Sequence, residues 1–281
     1  MPAPQASAMQ QLAKQKFMSF GLVIPSDWKQ PQGEKAKLYQ DAFDSPDHNR
    51  PDTSNRLFRP ASTNIHHIDA TKEIGKIYGD FIDDMCSAIC GAIGNWMTAA
   101  VIPSVIITGN VGILPPAGIV GAPLTPLAFL QAPMAPPTMI PYSTAVATGI
   151  GTAWQAWFTG YSGTLQFPPT FAACPSPFHP PTPNIPMPLG SAGASAGAPM
   201  MQTAALKASM IGLHGNPSAP FSSELFESLA EAFSTTFNLW TTSTLVCNVM
   251  GSGPNPLFVP PAPVPGPVLG GFGFGAPGCI S

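Results

Sequence analysis

Residues 81–96 read FIDDMCSAICGAIGNW, residues 142–157 read YSTAVATGIGTAWQAW and residues 225–240 read LFESLAEAFSTTFNLW. Each stretch ends on a tryptophan. Counting back from it by 3, 7, 11 and 15 positions gives Ile93, Ile89, Met85 and Phe81 before Trp96. The same count gives Trp154, Ile150, Val146 and Tyr142 before Trp157, and Phe237, Phe233, Leu229 and Leu225 before Trp240. All of these positions are apolar or aromatic. Steps of four after a first step of three follow one stripe of an α-helix, so the spacing predicts three helices of about four turns, each with one apolar seam. In the third, Ser222 or Ser223 is placed to cap the start, and Glu224 and Glu227 stand near the positive N-terminal end. The second carries Gly149 and Gly151, poor helix formers that leave it dependent on tertiary packing.

The segments on the C-terminal side of the three tryptophans are also alike. A β-branched or aromatic run comes first (VIPSVIITGNVGIL, SGTLQFPPTFAAC, TLVCNVM), with strand-like alternation clearest in the first and third. A double proline comes next, at Pro115-Pro116, Pro180-Pro181 and Pro260-Pro261, and a leucine lies nine residues after its first member, at Leu124, Leu189 and Leu269. Proline fixes φ and removes a donor, so these tails are expected to run extended. The terminal GGFGFGAPG comes after such a tail and reads as a flexible or tightly packed terminus. One helix, strand and tail cannot bury its own seam, whereas tandem copies can. The expected fold is therefore α+β. A polar, extended N-terminal arm (1–70) precedes three units (71–138, 139–205 and 206–281), whose seams meet in a pseudo-three-fold body.

Composition narrows the function classes. The 281 residues include 36 prolines and 27 glycines, and only 11 basic and 14 acidic residues. Proline is about twice, and charge less than half, the usual share. An apolar content of 44% is too high for a solvated disordered chain. A net charge of -3 leaves no basic surplus for a phosphate backbone, so no nucleic-acid partner is expected. Residues 85–206 contain no Asp, Glu, Lys or Arg. A run that long must be buried against its own chain, other subunits or lipid. A lipid reading would use 85–102 and 142–167 as a membrane-active hairpin, although Asn95, Gln155, Gln166 and frequent prolines weigh against it. The five cysteines are scattered and odd in number, and the start lacks the apolar core of a secretory signal, so synthesis in a reducing cytoplasm is expected.

Candidates for chemistry are few. The arm has isolated aromatics, Trp28, Tyr39, Phe43 and Phe58, that suit anchoring along a partner. Asp41, Asp44, Asp47 and Asp52 lack the glycine and glutamate of a calcium loop. A metal-binding tip would have to draw on His66-His67, on Cys86 with Cys90, or on Cys174 with His179, none of which has the four ligands of a zinc site. No nucleophile elbow, P-loop, HExxH helix or dinucleotide fingerprint is present. An enzyme is not expected, nor is a cofactor or a resident metal. The functional residues are instead expected to be those of the three seams.

The three Trp-anchored blocks, spanning 74–271, give the chain a style of uncharged helix, β-branched strand and Pro/Gly-rich tail. In this it resembles structural proteins of the baseplate and spike region of contractile phage tails and contractile injection systems. The resemblance implies a non-enzymatic subunit that is made in the bacterial cytoplasm and built into a virion or injection particle. Its partners would be other structural proteins, such as a three-fold spike or a tube. The polar arm has no counterpart in that picture.

Overall fold

The structure, a computed structural model, describes residues 3–25, 56–61, 65–260 and 264–281. It is an α+β protein, 50% helical and 22% strand. The helices are α1 (Ala6–Ser19), α2 (Ile65–Ala99), α3 (Leu124–Phe129), α4 (Ile140–Thr159), α5 (Leu189–Ala192), α6 (Thr203–His214) and α7 (Ser222–Ser243). Short strands β1 (Val23–Ile24) and β2 (Arg59–Pro60) pair in parallel near the start. The main sheet uses β3 (Ile102–Thr108), β4 (Val111–Leu114), β5 (Tyr161–Gln166), β6 (Phe178–Pro183), β8 (Gly193–Ser195), β10 (Val249–Pro254) and β11 (Leu269–Gly275). Its order is β6-β10-β11-β3-β4-β5-β8, antiparallel throughout, while β7 (Met187–Pro188) pairs separately with β9 (Leu245–Val246).

The three predicted helices are α2, α4 and α7, and they differ in length from the expected four turns. The first is 35 residues long and runs across the boundary drawn at residue 70. The boundary at 205 likewise falls inside α6. One continuous core draws on all three units and on α1, so no unit is packed by itself. The helix α4 forms despite its glycines because they let neighbours approach. A Cβ at Gly149 would lie 3.1 Å from Met210 Cγ on α6. One at Gly151 would collide with Thr125 Oγ1 and stand 2.9 Å from the Thr125 backbone nitrogen on α3.

Three expectations are corrected. The N-terminal region is not wholly an extended arm: 6–19 form α1, whose Met9, Ala13 and Phe17, four apart, are buried. Phe58 anchors this region to its own chain rather than to a partner. It is fully buried, with ring centroids 5.3 Å from Phe17 and 5.0 Å from Tyr78. Trp28, Tyr39, Phe43 and the four aspartates lie outside the described residues.

The Pro-rich tails do not share one conformation either. Pro115-Pro116 enters a turn, Pro180 and Pro181 sit in β6, and Pro261 lies outside the described residues. Among the described residues strand β6 pairs only with β10, and an edge strand is where proline costs no ladder bond. Leu124 and Leu189 are buried and each opens a short helix after a proline cap, whereas Leu269 opens a strand and is exposed.

The third correction concerns the terminal glycine run, which takes the tightly packed of its two expected forms, but as a strand rather than a tail. It forms β11, between β10 and β3 in the sheet. Gly271, Gly273 and Gly275 face inward and Phe272 and Phe274 outward. The register shifts between Leu269 and Gly271, where Gly270 adopts a φ of +69°, a bulge that glycine accepts without strain.

Candidate functional site: an aromatic hub beneath an uncharged sheet face

The seam residues converge. Trp154 lies at the centre, with ring centroids 5.1 Å from Trp96, 5.1 Å from Trp157, 5.3 Å from Trp240 and 5.9 Å from Phe237. Trp157 closes the group at 6.2 Å from Trp96, 5.2 Å from Phe237 and 5.8 Å from Trp240. Several pairs meet edge to face, the arrangement that sets a positive ring edge against a negative ring face. Phe81, Met85, Ile89, Ile93, Val146, Ile150, Leu225, Leu229 and Phe233 are buried along the same three helices, and Tyr142 is half-buried. The indole Nε1 atoms of Trp96, Trp154 and Trp240 are buried without a hydrogen-bond acceptor. The hub is thus held by packing and ring electrostatics, with no polar network to give it chemistry.

Above the hub the sheet has two unlike faces. Val105, Ile107, Leu114 and Leu165 point into the core. Phe167 lies under them, fully buried, where glycines make room for its ring. A Cβ at Gly251 would be 2.5 Å from Phe167 Cε1 and 2.5 Å from Ile107 Cδ1; one at Gly112 would be 2.8 Å from Phe167 Cε2.

The opposite face is open and apolar. Phe272, Ile106 and Ile113 pair in register across β11, β3 and β4, at 58%, 54% and 48% exposure. Phe274, 54% exposed, stands opposite Met250 on β10. Leu269, Thr108 and Val111 form a second row, ending at Gln166. None of the seven strands contains an ionisable carboxylate, lysine or arginine. Sequence reasoning missed these outward residues. The alternation of glycine and phenylalanine in 271–275 was the signal that could have found them, since a period of two is the mark of a strand.

The charges among the described residues lie instead on the helices and in or beside the separate strand β2. Lys16 of α1 bonds Glu231 (2.8 Å) and Glu227 (3.2 Å) of α7, and Lys207 of α6 bonds Glu227 (2.7 Å). Lys14 pairs with Asp83 on α2. Lys207 and then Lys16 hold the Glu227 carboxyl below its ordinary pKa of 4.5, and Glu231 and Glu227 raise that of Lys16 above 10.5. A depressed carboxyl contributes stability that is present above its unfolded value and is lost as pH falls through the folded one. The melting temperature is accordingly expected to fall as pH drops below about 4.5. In Glu227→Gln that acid limb should flatten in a pH series of thermal melts; an unchanged limb would place the acid sensitivity elsewhere. The Lys16 contribution is present below pH 10.5 and is lost only as pH rises above that.

The sequence candidates for metal binding do not assemble. Among the described residues no three His, Cys, Asp or Glu side chains stand close enough to share an ion. His67 is buried, and its Nε2 accepts the Ala61 N–H (2.9 Å); the side chain of His66 lies outside the described residues. His179 stacks on Phe171 at 3.9 Å and donates from Nδ1 to the Pro180 carbonyl (2.8 Å), while Cys174 Sγ bonds the Ser176 carbonyl (3.2 Å). Burial pushes the Cys86 thiol above its usual range and Cys90 up to about 12, the direction expected of thiols packed as small apolar groups. Cys90 Sγ instead touches Met9 Sδ (3.8 Å) where α1 packs on α2.

A cleft of about 350 Å³ opens between α2, α4 and α7, lined by Ile77, Tyr78, Phe81, Met139, Tyr142 and Leu225 among others. Tyr78 donates to the Pro220 carbonyl (3.0 Å), and burial raises the hydroxyl pKa of both tyrosines. Its lining brings no acid–base pair or nucleophile together. Among the described residues no helix is long and apolar enough to cross a membrane. The stretch 85–102 is the end of α2 and the start of β3, and 142–167 divides into α4 and β5. No protein-family model, curated protein or solved structure matches this chain.

Proposed function

We propose that the protein is a non-enzymatic structural subunit of a large protein assembly, of the kind that forms the baseplate or spike region of contractile phage tails and injection systems. One observation carries this reading: the outer face of the seven-stranded sheet exposes Phe272, Phe274, Ile106 and Ile113 with no charge on any strand. A soluble protein that works alone rarely leaves such a face bare, because every collision with a copy or a neighbour favours covering it. The helices beneath supply a rigid support for the face rather than a reactive centre. We read the three helix–strand segments as copies of one ancestral unit arranged about the tryptophan hub. That reading is supported by the convergence of Trp96, Trp157 and Trp240 and by the matching helix starts at Leu124 and Leu189. The partners would be other structural proteins of the particle, such as a three-fold spike or tube, and the place of synthesis the bacterial cytoplasm.

The test is co-sedimentation from the producing cells. Tagged wild-type chain is expected in a high-molecular-weight particle fraction, and a Phe272→Asp/Phe274→Asp variant in the soluble fraction with an unchanged melting temperature. A wild-type chain found only as a free species of low mass overturns the proposal.

A further inference from the structure

The uncharged sheet face also constrains its own occupant. Resting on the reading of that face as a docking surface, we infer that its occupant is a second copy of this chain, packed sheet to sheet about a two-fold axis. Area comes first. Phe272, Phe274, Phe178, Ile106, Ile113 and Leu269 are each 42–58% exposed. Since a large side chain carries 150–250 Å², they present roughly 500–600 Å² of apolar surface. That reaches the top of the range for the largest patch on an ordinary monomer, and is most of the ~800 Å² that one partner contributes to a standard interface. Met250, Thr108, Thr164 and the prolines at 183 and 254 lie on the same face and supply the remainder.

Charge decides the occupant. About a quarter of the residues of an average protein are ionisable, and most of them lie on its surface. Each one pressed on this face would lose its water and find no counter-ion, because the strands offer none. Nor do the described strands of this sheet carry a charge that would steer a foreign protein or repel a copy. A second copy brings an equally uncharged apolar surface. Because the pairing is isologous it closes at two, leaving the charges of α1, α2, α6 and α7 in solvent. Stacked sheets lie about 10 Å apart, which lets Phe272 and Phe274 of one copy settle among the side chains of the other.

The experiment is sedimentation equilibrium of the purified full chain from 1 to 100 µM. The expected mass is twice the 29.2 kDa of the chain, with a dissociation constant that does not weaken between 0.05 and 1 M NaCl, as apolar association requires. Phe272→Asp enters the interface twice in the pair and should weaken it by at least about 100-fold. Leu239→Asp, on the exposed side of α7, should leave it unchanged. Thermal melts of both variants establish that they fold. A 29.2 kDa species at every concentration overturns the inference, as does a dimer indifferent to Phe272→Asp and Phe274→Asp. A monomer that still enters particles through this face overturns the self-pairing and leaves the structural role standing. A face-dependent dimer that never enters a particle does the reverse. A monomer that floats with phosphatidylcholine vesicles assigns the face to lipid and overturns the pairing.

Discussion

Trp154→Ala is expected to destabilise the protein by about 3–5 kcal/mol, the range for truncating a fully buried large aromatic. Trp154 is the ring on which α2, α4 and α7 meet, in contact with Trp96, Trp157, Trp240 and Phe237. Its loss leaves a cavity walled by rigid aromatics on three helices, which cannot collapse around it. Trp157→Ala, at the same junction, should fall in the same range. Urea unfolding followed by far-ultraviolet circular dichroism reads the effect. A shift below about 1 kcal/mol would mean that the hub is not where the helices gain their stability.

The second large effect lies on the inner face of the sheet. Gly251→Ala is expected to destabilise by about 1–3 kcal/mol, toward the upper end, because its methyl group would stand 2.5 Å from both Phe167 Cε1 and Ile107 Cδ1. The neighbours are fully buried and have little room to retreat. Pairing the change with Phe167→Leu, which withdraws the ring atoms, should return part of the loss. A double-mutant cycle measures that coupling. Equal costs of Gly251→Ala in both backgrounds would refute close packing of Phe167 as the reason for glycine on the inner face. The effect separates from docking, since Gly251 faces inward whereas Phe272 faces out.

These two sites differ in how visible they are in the sequence. The hub is legible because a helix repeats its faces at a short, regular interval, so Ile93, Trp154 and Phe237 declare themselves by position alone. Their burial follows from the lack of any other place for such a stripe. Helix α1 was obscured because lysines and glutamines crowd Met9, Ala13 and Phe17, and the stripe is too small to stand out from a polar arm. The α4 glycines read as a weakness in isolation; only the approach of Thr125 and Met210 makes them a requirement. The sheet face was harder still. Its members come from residues 106, 113, 250, 272 and 274, and nothing local pairs a strand near residue 105 with one near residue 272.

The sequence by itself determined the α+β class, the three seam helices with their tryptophans, and a long span without charge. These are properties of near neighbours along the chain, where periodicity and composition act directly. Tertiary structure alone decided that a glycine run at 269–275 becomes an inner strand of the sheet and that α1 joins the core. It also decided that uncharged stretches from distant parts of the chain build both a buried hub and an open apolar face. The reason is physical. Strand order and register rest on contacts that no local pattern announces, such as that of Phe272 with Ile106, and whether a phenylalanine is covered depends on which layer is left without a neighbour.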